Sequence, residues 1–476
     1  MRISFLFLLL FLVFNSIIAE GTRETAPNAQ ILVDGNVTND IAALLINHSN
    51  YNTFASYLNQ DTNSRLYIRI QDPLTECIYL GLSYGHPNSN GSNPPETEYE
   101  FRIVDPAGNI VYGPMIVTQV NANIQNWQQA NTGPSQIYGT DGYDAIEISS
   151  AELSSSGWNQ AGDYYIEFLN RDGSNEFLID YWDITVSDCE SANPSDKRGR
   201  VWSYNWAFFA INDFGFPNRP FNGSVYVCAP DPDDQDAAFV TKIDFNNSGF
   251  QPAAFNIAFN SFGTANTGNI AQDRRSLPDI NATTPEYAIY LNDPLELCQT
   301  ALPGDIQLSG VSRCGANEYC IGVLTSKAGL LELLLDLDGD DGVYTPGTAD
   351  LIISYFIDNS ETGQAVCLDW DGLDGLGNDV SIAGILDIPV VLSYQQGIYH
   401  FPVYDAEYMI NGFQISAVRP AGPTPKLFYD DQLIPVASGS GEPTINLNGC
   451  DIPCHAWNNY TDPNAIGFGN LCTINS

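Results

Sequence analysis

The chain has 476 residues and a formal net charge of −40, from 57 acidic and 17 basic side chains. A field of that sign repels nucleic acid and anionic membrane surfaces and attracts divalent cations. The two local basic clusters, Lys197-Arg198 with Arg200 and Arg274-Arg275, are too small to make a phosphate-binding surface, so a nucleic-acid partner is set aside.

Arg2 precedes an apolar run from Phe5 to Phe14, followed by Asn15, Ser16 and the small residue Ala19. A charged start, a short apolar stretch and a small residue mark a secretory leader, so residues 1–19 are read as removed before Glu20. The run is shorter than the ~20 apolar residues that a bilayer span needs. No later stretch is apolar enough to cross, so the chain is expected to be secreted or at the cell surface and not membrane-spanning. What remains is too long for one core and predicts about three domains.

Residues 28–188 carry a β pattern. Arg65 to Gln71 alternates polar and apolar side chains, and Cys77 to Tyr84 is a compact apolar run. Tyr99 to Val117 reads as a hairpin turning at Asp105-Pro106-Ala107-Gly108-Asn109. Gly162 to Leu169 and Glu176 to Val186 are two more strands, and Asp40 to Asn47 is read as a short helix. Strands at this spacing predict an antiparallel sandwich. Ser187 to Gly199 has the composition of a linker. A second sandwich is expected over 199–304, opening on the aromatic strand RVWSYNWAFFAI. A third, immunoglobulin-like, is expected over 305–420, its sheet completed by Pro389 to Tyr394, Ile398 to Val403 and Phe413 to Val418. Residues 426–476 form a further Cys-containing segment. The fold class is therefore all-β, with tandem antiparallel β-sandwiches of immunoglobulin-like or jelly-roll-like kind.

The third domain holds the most distinctive stretch, GLLELLLDLDGDDGVYTPGTADLIISYFI from Gly329 to Ile357. It reads as strand, acidic turn, strand. Carboxylates at alternate positions in a loop can converge on one hard cation, and Ca²⁺ prefers oxygen ligands. The candidate ligands of a structural Ca²⁺ are Asp336, Asp338, Asp340, Asp341 and Asp350. The spacing departs from an EF-hand loop, because Asp341 stands at the glycine position and Gly347 at that of the bidentate glutamate. Gly342 can make the turn one residue late, with Asp350 closing the site from the far strand. The bland alternative is a solvated turn whose aspartates hydrogen-bond their own backbone.

Ten cysteines in an exported chain point to disulfides. Cys314 and Cys320 sit close enough for a local bridge, and Cys77–Cys189 and Cys228–Cys298 are the other expected pairs, the first closing at the edge of the first expected domain and the second inside the next.

Several phrases occur together: GRVWSYNW from Gly199, FVTKIDF with FNSFGTANTGN and DRR between Phe239 and Arg275, the acidic turn, WDGLDGLGN from Trp370, and CHAWNNYTDPNAIGFGNLCTIN from Cys454. Together they resemble the N-terminal region of the large secreted surface proteins of gliding bacteria. Those proteins carry a gliding-motility-associated C-terminal sorting domain and leave by the type nine secretion route. The resemblance implies a surface location, an adhesive role and no catalytic residue. It also implies either a fragment or an incomplete gene model, with a reading frame expected to continue past Ser476. WDGLDGLGN further resembles a turn of an immunoglobulin-like repeat in bacterial hook-capping proteins, which implies a sandwich.

No enzyme is expected. The four histidines, His48, His86, His400 and His455, are far apart, and there is neither a His-Glu-x-x-His nor a Gly-x-Ser-x-Gly motif. With 57 acidic residues, a carboxylate pair at glycosidase spacing has no specificity. Trp127, Trp158, Trp182, Trp202 and Trp206 could stack on sugars, yet such residues more often fill a sandwich core. Alternation puts Tyr165 with Glu167 on one face of their strand, the better candidate for exposure. The leading expectation is a non-enzymatic, adhesin-like extracellular region that meets a glycan or protein ligand. The alternative is a carbohydrate-binding module array attached to a missing downstream domain.

Overall fold

The computed structural model describes residues 20–27, 42–47, 53–58, 61–86, 97–171, 176–189, 191, 194–210, 221–231, 233–245, 255–263, 284–295, 297–339, 342, 344–345, 347–380, 388–395, 402–404, 414–422 and 473–475. The fold is all-β, built of several mostly antiparallel sheets with short helices between them. The expected leader, residues 1–19, lies outside the described residues, as does nearly all of 426–476. Among the described residues no helix is long and apolar enough to cross a membrane.

The hairpin read from Tyr99 to Val117 forms. Tyr99–Val104 pairs antiparallel with Ile110–Val117, and the Asp105 carboxylate caps the turn by accepting from the Asn109 amide at 2.8 Å. Of the expected helix Asp40 to Asn47, the described residues 42–47 are not helical. Ala42–Ile46 is a strand whose five residues are all fully buried. A continuous apolar run suits a strand covered on both faces, whereas a short surface helix needs a polar side.

The expected division into separate sandwiches over 28–188 and 199–304 does not describe the core. Leu66–Ile70 pairs with Val201–Ser203, which joins the two halves into one ten-stranded sheet. Ala42–Ile46 pairs with Asn205–Ala210 in a five-stranded sheet, and a four-stranded sheet is built around Glu76–Leu82 and Trp182–Asp188. One hydrophobic cluster runs from Ala42 to Ala301 and takes in Phe54, Tyr99, Trp182, Trp206 and Phe208. The reason is visible in Asn205–Ala210, where Trp206, Ala207, Phe208 and Phe209 are all buried. Such a strand has no face for water and must lie inside a larger unit. Among the described residues of the polar stretch Ser187 to Gly199 the chain comes back on itself: Asp188 accepts from the Ser195 amide at 2.7 Å and Asp196–Lys197 pairs with Trp182–Asp188.

A second, smaller core lies between two three-stranded sheets. One orders Ile306–Arg313, Tyr319–Thr325 and Ala365–Trp370, and the other Leu351–Ile357, Gly329–Leu335 and Val390–Gln395. Tyr319, Ile321, Val323, Leu331, Leu333, Leu335, Ile357, Leu368 and Trp370 fill it. The expected closing strand does not belong here, because Gln414–Arg419 pairs with Asp234–Asp244 of the large unit. Of the expected strand Ile398 to Val403, residues 398–401 lie outside the described residues, and Pro402–Tyr404 pairs with Thr473–Asn475 in a separate sheet.

The expected Cys314–Cys320 bridge is replaced by Cys320–Cys367, which ties the neighbouring strands Tyr319–Thr325 and Ala365–Trp370. Register decides this. Ser312, not Cys314, stands opposite Cys320, and Cys314 lies beyond the strand end as an exposed thiol. Cys228 and Cys298 are thiols with sulfurs 3.3 Å apart, and burial pushes the Cys77 thiol up beside Cys189. Peptide mapping of the oxidised protein without reduction is expected to recover Cys320 linked to Cys367 and Cys228 linked to Cys298. Recovery of Cys314 linked to Cys320 would contradict the register.

Candidate metal centre

The acidic stretch sits at the mouth of the hairpin formed by Gly329–Leu335 and Leu351–Ile357. Leu335 stands opposite Leu351 in register, so the next residues outward, Asp336 and Asp350, flank the opening from both strands. Both are almost fully buried, at 2% and 3% exposure, while Asp338 is exposed. One carboxylate oxygen from each of the three lies within 4.8 Å of the others. Asp340 and Asp341 lie outside the described residues.

The backbone wraps around the two buried carboxylates. Asp350 Oδ1 accepts the amides of Leu337 at 2.8 Å and Asp338 at 3.1 Å, and its Oδ2 accepts that of Thr345 at 2.9 Å. Asp336 Oδ2 accepts the amide of Gly342 at 2.7 Å, where the chain turns with φ of 73°. These bonds hold both side chains in place whether or not a cation is bound.

A hard cation fits the donor set, which is oxygen only. A carboxylate offers roughly four acceptor positions. Asp350 spends three on amides, which leaves Asp338 and one position of Asp350 for an ion, with Asp336 beside them. No ion pair among the described residues includes Asp338 or Asp350.

The loop has a buttress that its own sequence does not reveal. The turn after Ala365–Trp370 packs against it, with the Gly375 amide donating to Ala349 O at 2.9 Å. A Cβ on Gly375 would lie 2.1 Å from Asp350 O, so only glycine lets the two backbones meet. Asp374 caps this turn by accepting from Leu376 and Asn378, and the Asn378 amide holds its carboxyl below the usual range. The Trp370 indole donates to Leu373 O at 2.8 Å. The phrase WDGLDGLGN thus shapes one wall of the acidic loop.

The aromatic residues considered for sugar stacking are mostly interior. Trp127, Trp182, Trp202 and Trp206 are buried and Trp158 is half-buried. The expected exposure of the Tyr165 face is corrected, since Tyr165 is 7% exposed and packs with Tyr67, Trp202 and Tyr290 in one cluster. The Arg65 guanidinium covers its ring at 4.1 Å. Alternation told the two faces of that strand apart but did not reveal that both are covered.

A separate cavity of about 250 Å³ in the large unit is lined by Arg23, Glu24, Lys242 and Asp244 among others, a mixed set of charges. No protein-family model matches the chain, and no curated protein matches it.

Proposed function

We propose that this chain is a non-enzymatic, adhesin-like extracellular surface region whose smaller β-sandwich carries a structural Ca²⁺ in the Asp336–Asp350 loop. The observation that carries the reading is the convergence of Asp336, Asp338 and Asp350 at the hairpin mouth. An ion at that point stiffens a loop that would otherwise hold repelling carboxylates. The net charge of −40 and the sequence resemblance to gliding-bacterium surface proteins support an exported location. In this reading the sandwiches are rigid carriers, and their loops meet a glycan or protein on another surface.

Retention of the purified chain on glycan-coated and protein-coated surfaces tests this, with Ca²⁺ and again with EDTA. Calcium-dependent retention on at least one surface is expected, with no cleavage of either coating. Cleavage that vanishes with a single Asp→Asn change would overturn the non-enzymatic reading. Equal retention with and without calcium would remove the ion's role.

A further inference from the structure

The segment directly after the expected leader is part of the core. Glu20, Thr22, Thr25 and Ala26 are at most 1% exposed. Gly21 lies against Asp183 in an antiparallel bridge, and the Ile184 amide donates to Glu20 O at 3.0 Å. The Trp182 amide donates to Thr22 Oγ1 at 2.9 Å, and the Trp127 indole to Ala26 O at 3.0 Å. A Cβ on Gly21 would lie 2.2 Å from Trp182 O, so this piece fits with no room to spare.

Asp183 is wholly buried at the point where the segment begins. Its Oδ2 accepts from the hydroxyls of Tyr143 and Thr185, while its Oδ1 has no hydrogen-bond partner. No ion pair among the described residues includes it. The Glu20 backbone amide and the Arg23 charge both act on this carboxyl and draw it toward its ionised form, though neither closes a hydrogen bond or ion pair on Oδ1. The Glu20 side chain points elsewhere and accepts the amides of Gly199, Arg200 and Val201 at 2.7 to 3.0 Å. Half-buried Glu24 adds a third carboxylate, and the nearby Arg23 has a buried Nη1 with no partner. Buried Arg200 is already paired with Glu76. A buried carboxylate oxygen without a partner is costly, and the group that best relieves it is a cation.

We propose that the amino group freed by cleavage before Glu20 is a structural group of the mature protein, its ammonium pairing with Asp183 Oδ1 inside the core. The inference rests on reading residues 1–19 as a leader. Hydrolysis of the Ala19–Glu20 amide consumes one water, leaving a carboxylate on Ala19 and an ammonium on Glu20. An α-amino group has an ordinary pKa near ~8 and is largely protonated at neutral pH. With an uncharged amide in that place, burial raises Asp183 to about 6 and Glu20 to about 8. An added positive charge draws both back toward their ionised forms, the form that Glu20's three amide donors call for. Leader removal then completes the large unit, and a retained leader leaves Asp183 Oδ1 without an ion-pair partner.

The test compares the chain from Glu20 to Ser476, freed from a cleavable fusion so that Glu20 is the first residue, with one that keeps Ala19 in front. The added residue is expected to lower Tm by roughly 5–15 °C, the scale for a broken buried ion pair in a unit of this size. Asp183→Asn is expected to do the same, and in that background Ala19 should add little. Equal Tm for the two wild-type termini, or fully additive losses, would overturn the pairing. A second measurement covers the case in which Asp183→Asn does not fold. The Glu20 amine of the folded wild-type chain should react with an amine-selective ester at least about tenfold more slowly than in denaturant, since opening must precede reaction. Equal rates would overturn the pairing. Sequencing the first residues of the exported protein tests the premise. Glu20 in first place supports the leader reading, and any other first residue overturns both that reading and the proposed pairing.

Discussion

Arg200→Met is expected to destabilise the large unit by about 3–5 kcal/mol, the usual cost of stripping one partner from a buried ion pair. Arg200 has a wholly buried side chain. Its Nη2 donates to Glu76 Oε1 at 3.2 Å and to Gln71 Oε1 at 3.0 Å, and its Nη1 to Arg69 O at 3.4 Å. Glu76 is 5% exposed, and its second oxygen accepts the Gln71 amide at 2.7 Å. Methionine fills much of the same space but leaves the Glu76 charge in a low-dielectric interior with only amide donors. The substitution also lies at the seam where Leu66–Ile70 meets Val201–Ser203, so the loss should spread through one cooperative transition. Thermal unfolding should show Tm down by on the order of 10 °C. Adding Glu76→Gln to the same chain should restore part of the loss, because no charge is then left stranded. A single variant within about 1 kcal/mol of the parent would show that the pair is not buried.

Calcium is expected to raise the melting temperature of the smaller sandwich, and EDTA to lower it. Two buried carboxylates and a third, exposed one converge within 4.8 Å, and a divalent ion relieves their repulsion. Extracellular calcium modules bind at ~10⁻⁴ to 10⁻³ M. At roughly 10 mM Ca²⁺ and a Kd near 0.1 mM, linkage adds about 2.7 kcal/mol. That is a large share of a domain's marginal stability. The amides donated to Asp350 and Asp336 hold the loop near its bound shape, so little ordering cost should oppose binding. NaCl at matched ionic strength should reproduce only the general screening component. Asp338→Asn should remove most of the calcium shift while sparing the fold, because Asp338 is exposed and the two buried carboxylates keep their amide donors. The same calcium shift in that variant, or equal melting in Ca²⁺, EDTA and NaCl, would leave the loop as a self-satisfied turn.

What the sequence determined by itself was local. Period-two patterning marked the strands, the Asp105 to Asn109 turn marked its hairpin, and the apolar runs on either side of the acidic turn marked Gly329–Leu335 and Leu351–Ile357 as partners. Three of the five proposed ligands come together, since Asp336 and Asp350 flank that hairpin and Asp338 follows the first of them; the other two lie outside the described residues. These features depend on neighbours in the chain, so composition and spacing carry them. Only the tertiary structure decided which strands pair over long distances. The polar stretch Ser187 to Gly199 looks like a boundary, yet the strands on its two sides share one core, because runs such as Trp206 to Phe209 are apolar on both faces and need cover from both halves of the unit. The same holds for Cys320, whose partner is Cys367 across a strand pair rather than Cys314 along the chain, because register and not proximity in sequence sets which sulfurs meet. Glu20 to Ala26 follows the same logic. Nothing in its composition marks it as interior, and its place in the core comes from the groove that Trp182, Asp183, Trp127 and Asn222 leave for it.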